Sequence, residues 1–119
     1  MSILEEIELF FVKIAEVLTR VDEGLGEILK LGVPRDRGDC KALKLLNDEK
    51  EILDKISNDW KKFIMEKDIL SSACWNRAVC VSLASMEARS ILNQGINQLE
   101  EYFSEKEKDM PSESEQKTA

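Results

Sequence analysis

Cys40, Cys74 and Cys80 are the first side chains to weigh for chemistry, the last two lying in the stretch ACWNRAVCVSLAS at 73–85. A catalytic thiol needs its pKa lowered by a helix N-terminus or a nearby cation. Cys74, with Arg77 one turn on, meets that description loosely. Cys74 and Cys80 are six residues apart, which on one helix is about 9 Å along the axis and about 120° around it. A disulfide brings its Cα atoms within about 7 Å, so the two do not pair inside one helix. The chain contains no histidine. That absence removes Ser-His-Asp and Cys-His catalysis, HExxH metal chemistry and Cys/His zinc sites. Small packing residues are the expected role of these cysteines, since free cysteine is among the most buried residue types.

Carboxylates are the second source of chemistry. Glu23 with Glu27, and Asp48, Glu49 and Glu51, are the candidates for a magnesium site built on helices. Such sites need several acids pointing into a bundle core from facing helices. The paired ExxE and ExxD motifs of helical nucleotide pyrophosphohydrolases are not present, and most of these acids fall opposite the apolar stripe, on what reads as a solvated face. Arg37-Gly38-Asp39 matches the integrin-recognition tripeptide, but it sits where a turn and a helix cap are wanted. No Gly-rich phosphate loop or nucleophile elbow occurs. The expectation is a protein without catalytic residues, cofactor or metal.

Charge narrows the partners. Of a net −7, residues 1–32 hold seven acids against three bases, and residues 100–119 again seven against three. An acidic chain without a basic stripe is repelled by phosphate backbones and by anionic lipid, which argues against nucleic acid and membrane as partners. The opening MSILEEIELFF carries acids where a secretion signal carries bases. With an odd number of cysteines, this predicts a reducing, cytoplasmic setting.

The elements that would position these side chains read as helices. Leu4, Phe11, Leu18 and Leu25 recur every seven residues, as do Ile7, Ile14, Val21 and Ile28, with Ile3, Phe10, Val17 and Leu31 on an adjoining row. So wide a stripe predicts burial in a bundle of three or more helices. Ser2 is the expected N-cap. Gly24 and Gly26 permit a kink or the close approach of a neighbour, and Gly32 and Pro34 end the helix. A second helix is expected from about 40, capped by Asp39 or Asp36, with Leu46, Leu53, Trp60, Ile56 and Phe63 inward. Glu49 and Lys67 interrupt that stripe and are expected at its solvent-facing ends. A break is expected near 67–72, with Asp68, Ser71 or Ser72 capping a third helix to about 105. The alternatives are one uninterrupted helix and an earlier break at 57–59. The third helix should face inward with Cys74, Ala78, Val81, Ser85, Ala88, Leu92, Gly95, Leu99 and Tyr102 or Phe103, unless Gly95 divides it.

The predicted fold is all-α, an elongated antiparallel three-helix bundle over 1–106 with a disordered acidic tail over 107–119. A helical hairpin with one very long dimerising helix, and a four-helix bundle, are its alternatives. The expected function is non-catalytic: an intracellular interaction or scaffold protein that docks helix on helix with a protein partner or with itself as a homodimer. Phe10, Phe11, Leu18, Trp60 and Trp75 are the candidate docking residues. The competing expectations are a magnesium-dependent helical-bundle enzyme using clustered carboxylates and a small acidic inhibitor of another protein.

Overall fold

The computed structural model describes residues 1–32, 34, 36–67, 69 and 74–118, with side chains through Lys106. Three α-helices, α1 (Ile3–Leu29), α2 (Lys41–Glu66) and α3 (Trp75–Thr118), form an up-down-up bundle, and no strand occurs among the described residues. Contacts fix the directions. Phe10 meets Trp60 while Arg20 meets Glu49, so α1 and α2 are antiparallel. Ser57 meets Ser85 while Asp54 meets Arg89, so α2 and α3 are antiparallel as well. The molecule extends 71 × 27 × 17 Å, as an elongated bundle should.

The helix boundaries follow local chemistry. Ser2 caps α1 in a capping box: its hydroxyl accepts from Glu5 N–H at 3.2 Å and the Glu5 carboxylate accepts from Ser2 N–H at 3.4 Å. After the C-cap Lys30, Gly32 takes a φ of +79°, which only glycine adopts without strain. The expected Asp39 or Asp36 cap of α2 is replaced by Cys40. Its Sγ accepts from Leu43 N–H at 3.4 Å, while Arg37–Asp39 coils into a single 3-10 turn. Cys40 is buried with Leu43 and Phe103, and a thiol suits that apolar corner better than a carboxylate would. The break between the second and third helices lies between Glu66 and Trp75. The cap candidates Asp68, Ser71 and Ser72 lie outside the described residues. So do the side chains beyond Lys106, but the backbone of α3 runs past the expected boundary at 106 and through the stretch expected as a disordered acidic tail, to Thr118.

Ile7, Ile14, Val17, Leu53, Val81 and Leu92 make the driest part of the core, each no more than 2% exposed. The inward row of α3 is the expected one, with Ala78, Val81, Ser85, Ala88, Leu92 and Phe103 buried and Tyr102 turned outward. None of Gly24, Gly26 and Gly95 breaks its helix. A Cβ at Gly24 would stand 2.5 Å from Leu45 Cδ2, and one at Gly95 3.1 Å from Leu46 Cδ1, so both positions admit a leucine of α2.

Glu49 departs from expectation. It is 6% exposed, not at a solvent-facing end, and its carboxylate accepts from Arg20 Nε at 2.8 Å and Nη2 at 3.0 Å. A buried carboxylate holds its charge only with such a partner. Arg20→Ala, which strands that charge, is expected to cost about 2–4 kcal/mol of stability, while Glu49→Leu is expected to be neutral or stabilising. Chemical denaturation of the two variants checks this, and equal losses would contradict it.

Candidate functional site

The five residues proposed from sequence occupy two kinds of place. Phe10 packs edge-on to Trp60 with ring centroids 5.1 Å apart, and lies 5.5 Å from Phe63. Trp60 is only 3% exposed, stacks on Phe63 and donates its indole N–H to Ser82 Oγ at 2.9 Å. Phe11 and Leu18 are half-buried against the core, and the Arg77 guanidinium lies 4.6 Å from the Phe11 ring centroid. These four are engaged within the chain. Trp75, 46% exposed at the start of α3, presents a face to solvent.

Arg77 is taken up chiefly by Glu8, with Cys80 as a weaker neighbour. Its Nε donates to Glu8 Oε1 and its Nη2 to Oε2, the latter at 3.0 Å. Cys74 is half-buried and Cys80 exposed. The hydrogen bond from Arg77, reinforced by its charge, holds the Glu8 carboxyl below its ordinary value of 4.5 and outweighs the opposing effect of desolvation. A lowered carboxylate pKa contributes stability that is complete above the ordinary value and is lost as pH falls below it.

The carboxylate candidates are dispersed. Glu23, Asp48 and Glu51 are exposed, Glu27 pairs with Lys30 at 3.2 Å, and Glu49 is held by Arg20. Among the described residues no group of three or more His, Cys, Asp or Glu is placed to hold a metal ion. The RGD turn is tied down as well, with Arg37 paired to Glu100 of α3. No described helix is long and apolar enough to cross a membrane.

A cleft of about 220 Å³ runs between α2 and α3, floored by Trp60, Ser57, Ser82 and Ser85 and rimmed by Ile64 and Met86. Its polar floor is already satisfied. Ser57 and Ser85 bond each other at 2.7 Å, and Ser82 accepts from Trp60. Arg89 Nη2 reaches Asp54 Oδ1 at 3.3 Å, and its Nε is sealed from solvent without an acceptor. Lys61 and Arg89 bring charge to the edge of the cleft, and Ile64 and Met86 make its rim apolar.

That rim continues onto the outer face of α3, which the sequence reading missed. Asn76, Val79, Leu83, Met86, Ser90, Asn93 and Asn97 follow one another at alternating spacings of three and four, the period of a helix-docking seam. Leu83 is 58% and Met86 68% exposed, with Ile91 and Trp75 beside the row. Residues 75–99 contain three charged side chains, Arg77, Glu87 and Arg89, against nine in α1 and twelve in α2. Arg77 and Arg89 are tied to Glu8 and Asp54, so Glu87 alone charges this face. The missed signal was that depletion of charge, overshadowed by the stronger inward pattern of the same helix.

Comparison with protein-family models, curated proteins and solved structures finds no match to this chain.

The Glu8–Arg77 pair makes a pH-dependent prediction. Glu8→Gln is expected to melt below the parent chain at neutral pH, and the gap is expected to close as pH falls below 4.5. Thermal melts across that range check it; a gap independent of pH would contradict the assignment.

Proposed function

We propose that this chain is a non-catalytic helical interaction protein that works by docking a partner helix against the outer face of α3. The observation that carries the reading is the charge-poor seam from Asn76 to Asn97, with Leu83 and Met86 more than half exposed at its centre. An exposed helix face without charge gains little from water, and charge-depleted faces with apolar centres mark contact surfaces. Met86 and Trp75 supply adaptable and rigid apolar contacts respectively. The row lies on the helix whose other side is fixed into the core, so the docking surface is held rigid by Ala78, Val81 and Ala88.

With this reading goes a reducing compartment, the cytoplasm. An odd number of cysteines, with Cys80 exposed beside the seam, supports it.

The double variant Leu83→Glu/Met86→Glu places two carboxylates on the seam without touching the core. Full-length parent and variant chains, matched in helicity by circular dichroism, are used as baits in cell extract. The parent is expected to retain at least one protein that the variant loses. Identical captured sets would remove the reading.

A further inference from the structure

We propose that the cleft between α2 and α3 is a binding site for a small monocarboxylate with an apolar body, its head group taken by Arg89 and Lys61. This goes beyond the docking reading, which uses the outer row of α3 and gives the cleft no occupant.

The charge at the cleft is opposite to that of the chain. The chain carries 24 acids against 17 bases, yet the cleft is lined by Lys61 and Arg89 and by no acid. Lys61 comes from α2 and forms no ion pair among the described residues, although α2 carries acids along its length.

Arg89 is only loosely committed. Its one carboxylate partner among the described residues is Asp54, reached by Nη2 at 3.3 Å. A firm charge-assisted bond is about 2.7–2.9 Å long. Both side chains are close to half exposed, so water weakens the pair further. The Nε–H has neither an acceptor nor access to water. Buried donors are nearly always paired, and an unpaired one destabilises its surroundings. A guanidinium recognises a carboxylate with two parallel N–H donors. Turning Arg89 to present Nε and one Nη to an occupant of the cleft supplies the missing acceptor, and gives up only the long contact to Asp54.

Size and floor choose the rest of the ligand. Trp60 lies at the floor, and Ile64 and Met86, 37% and 68% exposed, make the rim apolar. The serines are already engaged, Ser57 with Ser85 and Ser82 with Trp60, so the head group belongs to the two cations. The volume is about 220 Å³. That lies between a cavity of about 150 Å³, which admits benzene, and the about 300 Å³ at which drug-sized pockets begin. One ring or short alkyl chain bearing one carboxylate matches it. The net −7 of the chain repels a phosphate dianion or a polyanion more strongly than a monoanion.

Titration of phenylpropionate and of its uncharged amide, phenylpropionamide, into the full chain tests the site, read by NMR of the Trp60 indole N–H and the Arg89 Nε–H. Phenylpropionate is expected to shift both signals saturably with a Kd in the millimolar range or tighter. The amide is expected to bind at least about tenfold more weakly, since it lacks the charge that the cations recognise. Lys61→Glu, at an exposed position and with unchanged helicity, is expected to weaken the acid at least about tenfold and to leave the amide unaltered. Absence of a saturable shift at Trp60 and Arg89, shifts centred elsewhere on the bundle, or equal binding of acid and amide would overturn the inference. So would a Lys61→Glu chain that binds the acid like the parent. Lys61 is not part of the α3 row, so its replacement is expected to leave protein capture through Leu83 and Met86 unchanged, and the two readings fail separately.

Discussion

Trp60 lies where α2 meets both of its neighbours, and its indole is buried with its N–H satisfied because Ser82 of α3 accepts it at 2.9 Å. A buried indole without that acceptor would carry an unsatisfied donor at a cost of about 1–3 kcal/mol. On its other side the ring meets Phe10 of α1 and stacks on Phe63 of its own helix. One side chain therefore fixes the rotation of α2 relative to two helices. Three residues before Trp60 and three after Ser82, the hydroxyls of Ser57 and Ser85 meet at 2.7 Å, as an antiparallel pair in that register must.

The remaining architecture follows from this close approach. Hydroxyls in contact require backbones that come near, and α3 permits it by turning Ala78, Ser85 and Ala88 inward. Leu45 leans over Gly24 and Leu46 over Gly95 by the same logic. A helix that fills its inward side with small residues has bulky ones left over. On α3 those are Leu83, Met86, Ile91 and Trp75, and they stand on the outside among asparagines and serines instead of the charges that cover α1 and α2. The construction of the core and the charge-poor outer seam are thus two sides of one helix.

Much of this was legible in the chain. The inward rows of the three helices, apart from the exposed Leu4 and Leu31, the Ser2 cap and the break after the second helix could be read from periodicity and capping chemistry, because those signals are local. Glu49 was misplaced because a charged residue in a stripe reads as an exposed end unless its partner is known, and Arg20 is 29 residues away on a different helix. The Cys40 cap escaped notice because carboxylates are the commoner caps, and only the apolar corner with Phe103 explains a thiol there. The docking residues expected from sequence were Leu18 and four of the large aromatics, yet size draws a side chain inward as readily as it marks a contact. Trp60 is buried and Phe10 packs half-buried against it, while Leu83 and Met86 stand exposed on α3. What separates the two roles is charge around the residue, which a search for hydrophobic period does not weigh.

The most direct test of the account is residue-resolved NMR of the isotope-labelled full chain on addition of cell extract. If α3 is the docking face, backbone amide signals change for residues between Asn76 and Asn97, while those of α1 around Leu9 and Val12 stay fixed. Changes centred on α1, or none, would contradict it.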